Sequence, residues 1–115
     1  MKILVCGGRK FADCELVWKT LDALQDKYGR LTIIQGGATG ADFLAREWCY
    51  KQRLSHLVNV PADWETHGKA AGPIRNKEML REKPDLVIAF AGGAGTTNMV
   101  QQAEKAGVKI EKIGW

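Results

Sequence analysis

Two kinds of hydrophobic pattern alternate along this chain: short continuous apolar runs, and longer segments in which apolar residues recur at helical spacing. Four short runs of mostly consecutive apolar residues, each ended by glycine or proline, predict β-strands. A fifth run alternates apolar with polar residues, which is typical of an edge strand with one wet face. Between the runs, apolar residues recur at helical spacing. The five predicted strands cover residues 2–6, 31–35, 57–60, 86–90 and 108–113.

Four amphipathic segments between these strands predict α-helices. The first covers about residues 14–28, with Asp13 as its N-cap residue and Gly29 at its C-terminal end. The stretch 62–72 is polar and is predicted to be irregular. The other three helices are predicted to begin at Thr39 or Gly40, at Pro73, and at Thr96 or Thr97, where the threonine hydroxyl would act as the N-cap.

The order of elements predicts the fold. Strand and helix alternate along the chain, which favours a parallel sheet covered on both faces and joined by right-handed crossovers. The first and fourth strands are the most apolar and are therefore expected at the centre. We predict a single domain over residues 1–115, an α/β Rossmann-like three-layer sandwich with a five-stranded parallel sheet of order 3-2-1-4-5 and four helices on both faces.

Glycines concentrate in three loops that follow strands 1, 2 and 4. Eight of the 13 glycines lie there, and we name these segments the first loop (residues 7–9), the second loop (residues 36–40) and the third loop (residues 92–97). In the predicted strand order the chain changes direction between strands 1 and 4. The loops that leave those two strands therefore diverge and open a crevice, which is where ligands bind in open α/β sheets.

The third loop carries the strongest chemical signal. An apolar strand, a glycine-rich turn and the start of a helix together place backbone N–H groups and the positive end of a helix dipole where an anion can approach. The alternative interpretation is a tight turn that needs glycine only for steric reasons. The loop contains no GxxxxGK[ST] motif, and Asn98 stands where a dinucleotide fingerprint would need its third glycine.

Several side chains near these loops are candidates for ligand contact, and each has a structural alternative. Arg9 and Arg75 can hold a phosphate, or they can cap carbonyl groups and form surface ion pairs. Asp42 can contact a ribose, or its carboxylate can stabilise the positive end of the dipole of the second helix. Asp63 and Trp64 follow strand 3, and the indole can stack on a base or anchor the loop. We interpret His67 as an ordinary loop residue, and no catalytic triad or metal-ligand cluster stands out.

Composition and charge narrow the class of protein. The formal net charge is +4, from 17 basic and 13 acidic residues, and the excess is scattered, so nucleic-acid binding is not expected. The three cysteines are odd in number and form no CxxC pair, which argues against a disulfide framework or a zinc site. No apolar run approaches 18 residues and no signal peptide is apparent, so we expect a cytoplasmic protein without a membrane segment.

Five motifs follow one another along the chain. They are Gly7-Gly8-Arg9-x-Phe11, Gly36-Gly37-Ala38-x-Gly40-Ala41-Asp42, Pro61-Ala62-Asp63-Trp64, His67-Gly68-Lys69-Ala70-Ala71-Gly72-Pro73-x-Arg75-Asn76 and Gly92-Gly93-x-Gly95-Thr96. In this order they resemble the YspA/YpsA-related branch of the SLOG superfamily, over about residues 2–112. This resemblance implies a Rossmann-like fold and a nucleotide or nucleotide-derivative ligand at the glycine loops. Relatives in the superfamily include phosphoribohydrolases that cleave nucleoside monophosphates, proteins that bind single-stranded DNA, and sensors of ADP-ribose-like signals.

The resemblance carries over residue by residue with one departure. Arg75 matches the catalytic arginine of the hydrolases, so it would be the catalytic residue if this chain were an enzyme. The hydrolases have a glutamate at the position of Asn98, and an amide cannot serve as a general base. The prediction is therefore nucleotide binding without turnover, as a sensor, carrier or sequestering module. N-glycosidic hydrolysis and single-stranded nucleic-acid binding are the alternatives.

The predicted site needs no metal and no further cofactor, and the expected partner is a nucleotide-type small molecule. A homodimer or higher homo-oligomer is a further expectation from the resemblance. The predicted ligand-binding residues are Gly7, Gly8, Arg9, Gly36, Gly37, Gly40, Asp42, Asp63, Trp64, Arg75, Asn76, Gly92, Gly93, Gly95, Thr96, Thr97 and Asn98.

Overall fold

The computed structural model describes residues 1–52 and 55–115 of the chain. Strands and helices alternate along it, as the hydrophobic pattern predicts. The strands are β1 (Lys2–Cys6), β2 (Thr32–Gln35), β3 (His56–Asn59), β4 (Leu86–Phe90) and β5 (Lys109–Ile113). The helices are α1 (Cys14–Tyr28), α2 (Ala41–Lys51), the short α3 (Trp64–His67), α4 (Ala71–Arg81) and α5 (Ala94–Lys105), with a 3₁₀ turn at Gly68–Ala70 between α3 and α4.

The five strands form one parallel sheet in the order β3-β2-β1-β4-β5, which confirms the predicted topology. The central strand β1 pairs with β2 on one side and with β4 on the other, so that Leu4 lies opposite Ile34 and Val87. Every residue of β4 is buried, as expected for a strand covered on both faces. The two edge strands, β3 and β5, are only partly buried.

Each face of the sheet has its own hydrophobic core. Ile3, Val5 and Ile33 face one side and pack with α1 and α2, where the buried Trp48 is the largest side chain. Leu4 and Ile34 face the other side and pack with α4 and α5. This alternation of side-chain direction along parallel strands builds the three-layer sandwich.

Three details of the helices differ from the prediction. The polar stretch at 62–72 is not irregular, because Asp63 accepts a hydrogen bond from the backbone N–H of Thr66 and caps α3. Helix α4 begins at Ala71, two residues before Pro73. Helix α5 begins at Ala94 after the N-cap residue Gly93, so the prediction of a threonine cap was wrong.

The threonines at the start of α5 instead lie inside its first turn. Thr97 donates both its backbone N–H and its hydroxyl to the carbonyl of Gly93, and Thr96 is buried. The helix therefore starts within the glycine-rich third loop itself. The unpaired N–H groups of its first turn therefore lie three to four residues closer to the sheet than predicted.

Candidate functional site

The carboxyl ends of the strands carry the three glycine loops, and a cavity of about 960 Å³ opens among them. The first and third loops form opposite walls, and the segment from Trp64 to Met79 closes a third side. This is the crevice expected at the point where the strand order reverses. The cavity lies within the size range of small-molecule sites.

The glycines of this site divide into two groups by what surrounds them. At Gly7, Gly8, Gly40 and Gly92 a β-carbon would fall within about 3 Å of neighbouring protein atoms. The first and third loops touch there, and the backbone N–H of Gly8 donates to the carbonyl of Ala91 at 3.0 Å. For these four residues the steric interpretation is the right one, because their small size lets three backbones pack together.

Gly93 and Gly95 belong to the second group. Apart from the adjoining residues and the backbone of α5 itself, no atom of the described residues lies within 4 Å of the position that a β-carbon would occupy at either residue, and neither has a positive φ. Both line the cavity at the N-terminus of α5. Protein packing and backbone strain therefore do not explain these two glycines, which leave the approach to the N-terminus of α5 open.

Arg75 lies where the second and third loops converge. Its Nη1 donates to the carbonyl of Gly36 at 2.8 Å, and its Nε donates to Oδ1 of Asn76 at 3.1 Å. Gly36 is small for this reason, since a β-carbon there would overlap the guanidinium group. Burial lowers the pKa of Arg75, Asp42 opposes that effect, and the charge of Arg9 adds to it. An arginine nevertheless stays charged at neutral pH.

A chain of amide side chains connects α4 to α5 beneath the cavity. Nδ2 of the buried Asn76 donates to the carbonyl of Gly95 at 3.2 Å and to Oδ1 of Asn98 at 3.1 Å. Nε2 of Gln102 donates to the same Oδ1 at 2.7 Å. The carbonyl oxygen of Asn98 thus already accepts two hydrogen bonds, and its Nδ2 is the group left for a ligand.

Asp42 is buried at the cavity wall and organises the second loop. Its Oδ2 accepts hydrogen bonds from the backbone N–H groups of Gly36, at 3.1 Å, and Ala38, at 3.2 Å. Burial raises the pKa of this carboxyl, while the two amide bonds and the charge of Arg75 partly oppose the rise. Burial also raises the pKa of the neighbouring Cys6 thiol to about 12, which makes it a poor nucleophile.

Arg9 and Trp64 form a stacked pair at the mouth of the cavity. The guanidinium carbon of Arg9 lies 5.0 Å from the centroid of the Trp64 ring, and 47% of the tryptophan surface is exposed. A second cavity of about 370 Å³ lies on the other side of this pair, against Gly37, Thr39 and Ala62. Arg9, Trp64, Ala38 and Arg75 line both cavities, so they form the partition between them.

The charges around the larger cavity are mostly positive. Arg9, Lys10, Lys69 and Arg75 line it, and among the described residues Asp42 is the single carboxylate that does so. Together with the open helix N-terminus, this balance favours an anionic ligand.

Most of the predicted ligand-binding residues come together here, and three do not. Twelve line the larger cavity, and Gly36 and Gly37 line the smaller one. Gly40 packs against the first loop, Asp63 caps α3, and the hydroxyl of Thr97 binds the carbonyl of Gly93, so none of these three lines either cavity.

The structure also adds residues that sequence reasoning missed. Phe11 and Met79 supply apolar surface to the larger cavity, and Lys10 and Lys69 supply charge. Phe11 and Lys69 belong to the motifs that carry the family resemblance, which was the one available signal for them. Nothing in the sequence marks Met79 as more than a core residue of α4.

Two kinds of feature are absent from the part of the chain that the structure describes. Across residues 1–52 and 55–115, no cluster of three or more His, Cys, Asp or Glu side chains is arranged to hold a metal ion. Within the same ranges, no helix has both the length and the apolar character needed to cross a membrane.

Comparison with known proteins gives a family match and a close relative. Residues 1–67 match the model of the YspA, cpYpsA-related SLOG family. The Gene 61 protein of Mycobacterium phage D29 is 38% identical over an alignment of 123 residues, gaps included, which covers 98% of this chain and 96% of that protein.

One solved structure supports the fold. The C-terminal domain of a hydrogenase from Pyrococcus furiosus superposes with a TM-score of 0.54 at 22% identity, covering 96% of this chain and 89% of that one. At this identity the likeness concerns the fold alone.

Proposed function

Since the chain belongs to the YspA, cpYpsA-related SLOG family, we propose that it binds a phosphorylated nucleotide or nucleotide derivative in the cavity among its three glycine loops. Family membership points to nucleotide-related binding or processing. The proposal goes further, to a module that holds its ligand without turning it over, as a sensor, carrier or sequestering protein.

The observation that carries the proposal is the open N-terminus of α5. Gly93 and Gly95 leave free space where any other residue would place a side chain, and the first-turn N–H groups of the helix lie behind that space. A phosphate there would accept bonds from several backbone donors at the positive end of the helix dipole. Arg75 and Arg9, which line the same cavity, would neutralise the remaining charge.

The polar groups around the cavity favour binding over hydrolysis. A hydrolase of N-glycosidic bonds needs a carboxylate beside the sugar, and position 98 offers an amide whose oxygen is already bonded to Asn76 and Gln102. The remaining carboxylate, Asp42, accepts two backbone N–H groups, and its pKa is raised by burial. Neither group is available to stabilise an oxocarbenium ion by its charge.

Hydrolysis of the N-glycosidic bond of a nucleoside monophosphate, with Arg75 as the catalytic residue, is the second candidate, because this arginine matches the hydrolase motif and lines the cavity. It is separated from simple binding by product analysis. Release of free base from any of a panel of nucleoside monophosphates would establish the enzyme and overturn the proposal of binding alone.

Thermal shift with AMP, ADP, NAD, ADP-ribose and cyclic ADP-ribose tests the binding site. Gly93→Asp and Gly93→Asn form a matched pair, because both residues are good N-caps, fit the open space and have nearly the same size. We expect both variants to fold. The aspartate should abolish the shift by repelling the phosphate, while the asparagine should keep part of it.

Two results would contradict the proposal. One is a flat response of the wild-type protein across the whole nucleotide panel. The other is an aspartate variant that binds nucleotide as tightly as the asparagine variant, because this result would show that the phosphate does not bind at the N-terminus of α5.

A further inference from the structure

The side-chain amides that join α4 to α5 can take only one orientation. Resting on the proposed function, we infer that Gln102, which lines neither cavity, is a positioning residue that holds the amide of Asn98 with its nitrogen toward the ligand. Position 98 is then a hydrogen-bond donor of fixed direction. It selects a ligand that presents an acceptor oxygen at that point.

The orientation of Gln102 is determined by the backbone of α4. Its Nε2 donates to the carbonyl of Pro73, the third residue of that helix, at 3.0 Å, and to Oδ1 of Asn98 at 2.7 Å. A carbonyl group can only accept, so the atom of the Gln102 amide that faces Pro73 must be the nitrogen. Asn98 must therefore accept from this nitrogen through its oxygen.

Asn76 imposes the same constraint from another direction. Its Oδ1 accepts a hydrogen bond from Nε of Arg75 at 3.1 Å, and its Nδ2 donates to the carbonyl of Gly95 at 3.2 Å. A guanidinium group only donates and a carbonyl only accepts, so reversing this buried amide would break both bonds. The same Nδ2 donates to Oδ1 of Asn98 at 3.1 Å. Two donors, each fixed by a backbone carbonyl, thus meet at one oxygen.

The amide nitrogen of Asn98 is the group that remains for a ligand. A reversed amide would place this nitrogen against the nitrogens of Asn76 and Gln102 and would lose two hydrogen bonds. Asn98 lines the larger cavity, and no buried side-chain nitrogen or oxygen of the described residues lacks a partner, so the free Nδ2 is accessible.

The position of Asn98 along α5 indicates which part of the ligand it reads. Ala94, Gly95 and Asn98 share the cavity face of the helix, because residues three and four positions apart lie on one side. Asn98 follows the first turn, so its donor lies beyond the N–H groups proposed to hold the phosphate. A ligand with an acceptor oxygen beside that phosphate gains a hydrogen bond, whereas one with a donor there meets a second donor and is rejected.

Replacement of one amide by a carboxylate of the same size tests the role of Gln102. Gln102→Glu can donate neither to Pro73 nor to Asn98, so the Asn98 amide should reverse and turn its oxygen to the ligand. In calorimetry with AMP, ADP, NAD, ADP-ribose and cyclic ADP-ribose, every nucleotide that binds the wild-type protein should bind this variant at least about tenfold more weakly. Gln101→Glu is the matched control, because it adds the same charge at the adjacent residue, which is exposed and lines neither cavity.

A double-mutant cycle separates positioning from a general effect on the fold. Asn98→Ala removes the amide that Gln102 is inferred to hold, so adding Gln102→Glu to it should weaken binding by less than about a further twofold. The wild-type protein gives an independent measurement in ¹⁵N-labelled form. The side-chain amide signal of Asn98, identified by its loss in Asn98→Ala, should shift when nucleotide binds, and that of Gln102 should shift less.

The outcomes distinguish this inference from the proposed function. The inference is wrong, and nucleotide binding stands, if Gln102→Glu binds nucleotide as tightly as Gln101→Glu does. The same conclusion follows if Gln102→Glu weakens binding equally with and without the Asn98 amide, or if the Asn98 signal does not respond to nucleotide. If none of the five nucleotides binds the wild-type protein, the proposed function is wrong and this inference fails with it.

Discussion

Replacement of Gly95 by alanine should raise the stability of the protein and weaken its ligand binding at the same time. Gly95 lies in the first turn of α5 and has no positive φ. Outside its chain neighbours and the backbone of its own helix, no atom in the described part of the chain lies within 4 Å of the position of the missing β-carbon. Alanine is favoured over glycine inside a helix by about 0.8–1.0 kcal/mol, and we expect about half of that in the first turn. For a domain of this size the gain corresponds to roughly 2 °C in Tm.

The same methyl group would stand in the cavity, over the N–H groups proposed to hold the phosphate. If it weakens binding tenfold, a nucleotide at about 100 times its Kd would stabilise the variant by only about 1.4 kcal/mol, against about 2.7 kcal/mol for the wild-type protein. Thermal unfolding with and without ADP measures both effects on the same samples.

This substitution is informative because it should raise the stability of the free protein and lower its affinity for the ligand. Gly107→Ala is a useful comparison, because Gly107 has a φ of 73° and should lose stability without a change in binding. A Gly95→Ala variant with lower Tm in the absence of ligand, or with unchanged stabilisation by ADP, would refute the argument that this glycine keeps the approach to the helix open.

Three further predictions follow from the polar groups of the site. Arg75→Lys cannot bind the Gly36 carbonyl and Asn76 together, so nucleotide affinity in calorimetry should fall roughly tenfold, and an unchanged Kd would contradict this role. Burial raises the pKa of Asp42 above its ordinary value of 3.8, so its contribution to stability is complete below that pH and is lost as the pH rises through the folded pKa. The free energy of unfolding of Asp42→Asn, measured by urea titration, should therefore rise relative to that of the wild-type protein as the pH rises from 4 to 7. A relative fall would show the sign to be wrong. Finally, iodoacetamide at pH 8 should label the exposed Cys14 in the native protein and spare Cys6 and Cys49, whose pKa values burial raises to about 12 and about 11; mass spectrometry would show two or three labels if this is wrong.

The topology of the fold could be predicted because it depends on signals that are local in sequence. Continuous apolar runs mark strands that are buried on both faces, and the most apolar of them, β1 and β4, lie at the centre of the sheet. Once the strand order is known, the three glycine loops must meet at one edge. The location of the cavity follows from that geometry alone.

The start of α5 could not be predicted from the same kind of signal. Threonine is a frequent N-cap residue, and the sequence has two threonines at this point. The helix nevertheless begins earlier, because the backbone N–H and the hydroxyl of Thr97 both donate to the carbonyl of Gly93. Asp63 shows the reverse case. It looked like a ligand contact after strand β3, yet it serves as the cap of a short helix that hydrophobic periodicity could not reveal.

The individual roles of the glycines depend on contacts between segments distant in the chain. Gly92 and Gly93 are neighbours in one motif, but a β-carbon at the first would collide with Thr96 and Gly8, while the second faces empty space. The sequence contains no information that separates them. Only the three-dimensional arrangement distinguishes a glycine that allows close packing from one that leaves open space in the cavity.

The stacking of Arg9 on Trp64 gives the protein an intrinsic optical reporter. Three of its four tryptophans line neither cavity. Trp48 is fully buried with its indole hydrogen-bonded to Asp22, Trp18 lies beneath the ammonium group of Lys51, and Trp115 donates its indole N–H to the carbonyl of Ala89, so these three should respond little to events at the cavity. The exposed Trp64 stands at the cavity mouth with a cation 5.0 Å from its ring centroid. A ligand that draws Arg9 toward its phosphate would change the emission of this indole, so stopped-flow fluorescence can follow association in real time without any attached dye.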